Sequence, residues 1–191
     1  VIRRIKRRMA VNKVEDLNSY VRFMESYNRE ITTLYKELLI GVTSFFRDKE
    51  AFTFLENEVI PNLLKNNSHK QIRFWVTGCS TGEEAYTLAI ICKECMEKMS
   101  KPFDVKIFST DIDEDAILKA GNGIFPESIV ADLSPTLLSK YFYPKGDTYR
   151  ISQVIREMVV FAQHNIINDP PFKNIDLISC RNLLIYLQPV L

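Results

Sequence analysis

Apolar and polar positions divide the chain into an all-helical stretch and an alternating one. In residues 1–40 apolar side chains recur at helical spacing: Ile2, Ile5 and Met9, then Leu17, Tyr20, Val21 and Met24, then Leu34, Leu38 and Leu39. No Gly or Pro precedes Gly41, so the stretch reads as helices throughout. Glu15-Asp16 opens the second stripe, and Thr32-Thr33 are cap candidates for the third. After Gly41, Thr43 and Ser44 precede Phe45-Phe46-Arg47-Asp48, and a helix is predicted from about Lys49 to Leu64 with Pro61 near its end. A polar connection, Asn66-Asn67-Ser68-His69-Lys70, leads into a different rhythm. Strand 72–77, helix 83–99, strand 104–110 and helix 113–120 follow, then a mixed segment with Gly121, Gly123, Pro126, Pro135 and Gly146, then strands 158–162 and 175–180. Strands alternating with helices predict an α/β class with a mainly parallel sheet. There is no internal repeat and no low-complexity run.

Composition narrows the class without deciding it. Hydrophobic content of 46% and charged content of 26% are those of an ordinary globular chain. No apolar run approaches the ~18 residues of a membrane span, and no signal-peptide pattern opens the chain. Cys79, Cys92, Cys95 and Cys180 all fall in apolar or helical contexts and read as reduced core thiols of a cytoplasmic protein. Cys92 and Cys95 form a C-x-x-C, but within a predicted helix and without a second ligand pair, so no metal is expected. His69 reads as solvated.

The net charge of +1 is unevenly spread. Arg3, Arg4, Lys6, Arg7, Arg8 and Lys13 face no acid in the first thirteen residues, which leaves 19 bases against 24 acids in the rest. The bases wrap an amphipathic helix that could meet nucleic acid, an anionic membrane or an acidic protein surface, or stay solvated.

The candidate chemistry starts at Arg73-Phe74-Trp75-Val76-Thr77-Gly78-Cys79-Ser80-Thr81-Gly82-Glu83-Glu84-Ala85-Tyr86. A buried strand breaks at a small-residue turn and a helix follows, which is the nucleotide-cradling turn of a doubly wound sheet. A pyrophosphate would be drawn to that helix start but repelled by Glu83 and Glu84. A sulfonium and an ammonium would be welcome there, so the loop favours a methyl donor over NAD or ATP. Two acids can also simply complement the helix dipole. Asp111, at the end of the second strand, can accept both ribose hydroxyls of a nucleoside or cap the next helix with Asp113; for Asp113 the cap is preferred. The third strand ends in Gln163-His164-Asn165, where an amide could read an adenine edge; His164 reads as structural. The fourth ends in Cys180-Arg181-Asn182, with Tyr186 shortly after.

Five segments in order carry a resemblance: Arg3-Arg4-Ile5-Lys6-Arg7-Arg8-Met9; Leu39-Ile40-Gly41-Val42-Thr43-Ser44-Phe45-Phe46-Arg47; Gly78 to Tyr86; Thr110-Asp111-Ile112-Asp113; and Cys180-Arg181-Asn182-Leu183-Leu184-Ile185-Tyr186. Over nearly its whole length the chain resembles the CheR chemotaxis-receptor glutamate O-methyltransferases, particularly forms fused to CheB-type methylesterases. The resemblance implies an all-α receptor-docking domain over residues 1–40. A Rossmann-like class I S-adenosylmethionine methyltransferase domain over residues 41–191 follows from it too. By matching motif positions, Thr43 and Arg47 would contact the cofactor or orient the acceptor carboxylate. Glu84 would meet the methionine moiety, Asp111 the ribose, and Asn165 and Ile166 would flank the adenine. Arg181 and Asn182 would line the cleft, with Tyr186 beside the transferring methyl. Arg47, Arg181 and Tyr186 are thus the catalytic candidates, and Arg3, Arg4, Arg7 and Arg8 the receptor-binding ones. Gly41 departs from the asparagine common in the family, and Ala85 from its common proline.

The implied reaction needs no strong base, because a glutamate side chain is ionised near neutral pH. Arg47 or Arg181 could pin one carboxylate oxygen while the other attacks, and S-adenosylhomocysteine would be the product. Methyl-accepting receptor helices, not nucleic acid or a membrane interior, are the expected partners, with a fused or separate CheB-type methylesterase possible. An NAD-dependent oxidoreductase is opposed by the carboxylates and by the lack of a full G-x-G-x-x-G. A non-catalytic S-adenosylmethionine- or receptor-binding module stays open. Tyr186 to Leu191 read as the start of another helix, so a fragment lacking the sheet's last strands, prone to self-associate and weak in methyl transfer, is expected.

Overall fold

The computed structural model describes residues 2–38, 43–67 and 71–187. Gly41, Leu39 and His69, and all but Tyr186 and Leu187 of the helix start expected at Tyr186 to Leu191, lie outside the described residues. The chain forms two compact units, Val1–Gly41 and Val42–Leu191.

In the first unit, helices Ile2–Val11 (α1), Leu17–Ser26 (α2) and Asn28–Leu38 (α3) realise the predicted stripes. Asp16 caps α2, accepting from the N–H and hydroxyl of Ser19 at 3.0 and 2.6 Å. Thr32 and Thr33 are not caps, because the break between α2 and α3 falls earlier, at Tyr27. Their hydroxyls instead donate back to the carbonyls of Asn28 and Arg29, at 3.5 and 2.9 Å, the local bond a mid-helix threonine can make.

The centre of this unit is polar. Glu30 is 6% exposed. Arg8 donates to both its oxygens, at 2.8 and 2.5 Å, while Asn12 and the Tyr20 hydroxyl donate to Oε1 at 2.9 and 2.6 Å. Arg8 also reaches Glu37 at 3.4 Å. A buried carboxylate persists only when paired and hydrogen-bonded in this way. The Arg8 hydrogen bonds hold the Glu30 carboxyl below the usual range, and burial pushes the Tyr20 phenol up to about 12. Arg8 therefore differs from the exposed receptor-facing base expected of it: the acids of α3 draw it inward. Arg3, Lys6 and Arg7 stay exposed and Arg4 is half-buried.

In the second unit, the predicted helix 49–64 is one helical run with a wide turn inside it. Lys49–Phe54 (α4) passes through a π-turn, Leu55–Val59, into Ile60–Asn66 (α5). Pro61 has no N–H to give, and Ile60 N–H is committed to Leu55 O, so the Glu56 carbonyl loses its helical donor. The Cys95 thiol supplies one, at 3.4 Å. That contact gives half of the C-x-x-C a structural task.

Strands Gln71–Thr77 (β1) and Asp104–Asp111 (β2) flank helix Glu83–Met99 (α6), and helix Glu114–Asn122 (α7) follows. Asp113 caps α7 by accepting from Asp115 and Ala116 N–H. The mixed segment folds into elements too short to read in sequence: Ile124–Pro126 (β3), helix Pro135–Tyr141 (α8), Phe142–Lys145 (β4), Thr148–Ile151 (β5) and helix Gln153–Arg156 (α9). Val159–Gln163 (β6) and Leu177–Ser179 (β7) complete the described strands. The main sheet is wholly parallel, in the order β6-β2-β1-β7, and a small antiparallel sheet has the order β3-β5-β4. The α/β class is as expected; the antiparallel sheet is the addition.

The start of α6, Ala85 to Cys92, is buried on all sides. Phe45 anchors the Phe45-Phe46-Arg47-Asp48 segment to that core. It is 2% exposed and meets Phe125 and Phe142 edge-on at 4.9 and 5.3 Å. Cys79, Cys92 and Cys95 are buried and Cys180 is half-buried, all as free thiols. Among the described residues no helix is long and apolar enough to cross a membrane.

Candidate functional site

The carboxyl ends of β1, β2, β6 and β7 converge on the loop after β1, where a parallel sheet gathers its chemistry. Gly78, Ser80 and Gly82 all take positive φ, at 66°, 49° and 93°. A Cβ at Gly82 would lie 2.9 Å from Ala120 Cβ and 3.0 Å from the Phe161 ring. Gly82 therefore lets α6 begin flush against α7 and β6. A Cβ at Gly78 would lie 3.3 Å from Leu183, which brings the segment after β7 over the loop.

Asp111 fastens this loop. Its Oδ2 accepts from Ser80 N–H at 2.7 Å and its Oδ1 from Asp113 N–H at 3.0 Å, while Cys79 N–H donates to Thr110 O at 3.0 Å. A carboxylate has about four acceptor positions, so two remain for a ligand's hydroxyls. Asp111 is both the strut of the turn and its acceptor.

Glu83 and Glu84 face different surroundings. Glu83 takes the Thr81 hydroxyl on both oxygens, at 2.9 and 2.7 Å, and burial raises its carboxyl above the usual range. Glu84 turns to β7: Ser179 Oγ donates to its Oε1 at 2.5 Å, and Arg181 Nη1 stands 3.5 Å from its Oε2. Only Glu84 joins the cleft group.

Arg181 is a junction. Its Nη2 donates to Arg47 O at 2.9 Å and to the Asp48 carboxylate, and its guanidinium lies 4.8 Å from the centre of the Phe52 ring. Arg181 thus ties the end of β7 to α4 and α6. Arg47 and Thr43 are half-buried on the segment that Phe45 anchors. Phe46 N–H donates to Thr87 Oγ, which donates in turn to Glu83 O.

Beyond β6, His164 N–H donates to Asp111 O at 2.9 Å, which sets Asn165 and Ile166 just past Asp111. Asn165 Oδ1 accepts from Ile167 N–H at 3.0 Å, so its oxygen serves its own turn and the amide nitrogen is what it can offer an adenine. The His164 ring packs edge-on against Trp75 at 5.5 Å with Nε2 3.2 Å from Pro170 O, a structural setting. Asn182 adopts φ 57°, and Tyr186, on the 3₁₀ turn Leu184–Tyr186, is 53% exposed.

The structure brings together Glu84, Arg181 and the main-chain carbonyl of Arg47 around one junction, and Asp111 with the loop. Sequence reasoning passed over Asp48, Ser179 and Phe52. Asp48 stands next to Arg47, and Ser179 ends the last described strand, but neither spacing announces a side chain that reaches across to another element.

Residues 41–190 match the family described as CheR methyltransferase, SAM binding domain. Similar proteins include an uncharacterized 104.1 kDa protein in the hypE 3′ region of Rhodobacter capsulatus, 44% identical over 190 residues, covering 99% of this chain and 20% of that protein. The chemotaxis protein methyltransferase of Borreliella burgdorferi is 35% identical over 191 residues, covering 96% of this chain and 68% of that protein. The chemotaxis protein methyltransferase of Salmonella typhimurium is 30% identical over 197 residues, with 97% and 65% covered. The chain spans from 20% to 68% of the length of these relatives.

Proposed function

The chain belongs to the CheR methyltransferase family, and from that premise we propose that it methylates glutamate side chains of chemoreceptor-type proteins with S-adenosylmethionine. One observation supports this most: two carboxylates, Asp111 at the end of β2 and Glu84 on the first turn of α6, stand where a phosphate-bearing cofactor would need donors. That pair suits a ligand with ribose hydroxyls at one end and an ammonium at the other.

When bound, S-adenosylmethionine supplies an electrophilic methyl on a sulfonium. Asp111 accepts from the ribose hydroxyls and keeps the loop closed around them. Glu84, oriented by Ser179, receives the ammonium. Arg47 or Arg181 holds one oxygen of the acceptor carboxylate while the other attacks, a task that guanidinium geometry suits. No general base is required, because the acceptor is ionised before it arrives. Tyr186 acts by position, narrowing the space beside the acceptor. Charge is neutralised as the methyl moves, so displacing water from the cleft favours transfer.

Residues 1–40 serve as the docking part and residues 41–191 as the transferase part. Arg3, Arg4 and Arg7 of α1 present the basic face to an acidic receptor helix, and Arg8 braces that helix from within. Incubation with methyl-labelled S-adenosylmethionine and a glutamate-bearing receptor fragment tests the reading. Label released by mild alkali, as a carboxyl methyl ester is, supports it. Label that survives alkali, or cofactor binding without transfer to any such fragment, counts against it.

A further inference from the structure

In this site one guanidinium faces two carboxylates, and they hold it unequally. Arg181 Nη2 is closely bonded to Asp48 and to Arg47 O, whereas Nη1 meets Glu84 only end-on at 3.5 Å, the outer limit of a hydrogen bond. Phe52, one helical turn beyond Asp48, supports the guanidinium face at 4.8 Å. Asp48 occupies the cap position of α4 with φ 61° and makes no side-chain cap bond. It forgoes the interaction its residue type makes best at a helix start and turns to Arg181 instead.

We propose that Asp48 is a positioning residue: by holding Arg181, it keeps the Glu84 carboxylate available for a cationic group, the ammonium of the cofactor. The inference rests on the S-adenosylmethionine reading given above. An arginine fork pairs best with a carboxylate through two parallel bonds. Without Asp48, Arg181 would close onto Glu84 in that geometry, and an ammonium would have to displace a charge-assisted pair to bind.

The test is titration calorimetry with two ligands. S-adenosylhomocysteine carries the ammonium; 5′-methylthioadenosine shares the adenine, ribose and thioether but lacks the amino-acid part. Asp48→Asn should weaken S-adenosylhomocysteine about tenfold and leave 5′-methylthioadenosine within about twofold. Asp48→Glu should recover most of the loss, and Asp48→Asn should add nothing in a Glu84→Gln background. Asp48→Ser, which removes the charge but can cap α4, should behave like Asp48→Asn, and thermal unfolding of each variant confirms that it is folded. Equal loss of both ligands, or an undiminished loss in the Glu84→Gln background, overturns the proposal. If the wild type binds neither ligand, the cofactor reading itself fails, and this inference with it.

Discussion

The Ser179 hydroxyl, at the end of β7, donates to Oε1 of Glu84, on the first turn of α6, at 2.5 Å. These residues are 95 positions apart in the chain, and their contact joins the last described strand to the helix that follows the first. It also fixes which way the Glu84 carboxylate points. Glu83, one residue earlier, has no such link and turns to Thr81.

Ser179→Ala should leave Glu84 in place but free to rotate. The expected result is a cofactor affinity several-fold weaker, with about 1.5–3 kcal/mol of stability lost from one hydrogen bond to a charged group. Calorimetry and urea unfolding on the same preparation separate the two effects. Unchanged affinity would show that Glu84 needs no orienting partner.

Gly82→Ala and Gly121→Ala form a matched pair. At Gly82 a methyl meets Ala120 at 2.9 Å on a backbone with φ 93°, whereas at Gly121 nothing lies within 4 Å. The first should destabilise by about 2 kcal/mol or more, and the second, inside α7, should be neutral or stabilising by up to about 1 kcal/mol. Denaturant midpoints decide it.

Asp111→Ala should reduce both cofactor binding and stability. The family resemblance places this acid at the ribose. In the fold it also accepts Ser80 and Asp113 N–H. Losing those bonds should cost about 1–3 kcal/mol of stability, beyond the loss of affinity. A mutant as stable as wild type would mean that the loop holds itself.

The reach of sequence reasoning follows from the range of each interaction. The helix 83–99 was legible to the residue because its start, at Gly82-Glu83, and its apolar body are local signals. β1, β2 and β6 were legible as apolar runs. β3, β4 and β5 were not: they span three or four residues, and Pro126 and Pro144 interrupt their pattern. Arg8 reads in sequence as a receptor-facing base because its partners lie 22 and 29 positions away, on a helix whose start sequence reasoning places too late, at Thr32-Thr33. The same limit hid Asp48, which engages a residue 133 positions on. Motif residues are recognised by type; their partners are found only once the chain has brought them together.

The Glu30 carboxyl is depressed in the fold, chiefly by its Arg8 hydrogen bonds. The sign follows: this contribution is complete above the unfolded carboxylate value of ~4.3 and is lost as pH falls through the lower folded value. At neutral pH, Glu30→Gln should therefore destabilise the Val1–Gly41 unit by about 3 kcal/mol, since it leaves Arg8 without its main partner. Acidification should narrow the gap between the two proteins. Helical circular dichroism during thermal unfolding, followed from neutral to strongly acidic pH, reads this directly. A gap independent of pH would place the stabilisation elsewhere.

The proposed selection of a phosphate-free nucleoside that carries a cationic group rests on Asp111 at the end of β2 and Glu84 on the first turn of α6. Titration calorimetry of the wild type and Glu84→Gln with S-adenosylhomocysteine and NAD tests it most directly. S-adenosylhomocysteine should bind at one site, about tenfold more weakly in Glu84→Gln, with no measurable NAD binding in either protein. Binding of NAD by the wild type, or S-adenosylhomocysteine affinity indifferent to Glu84→Gln, would contradict it.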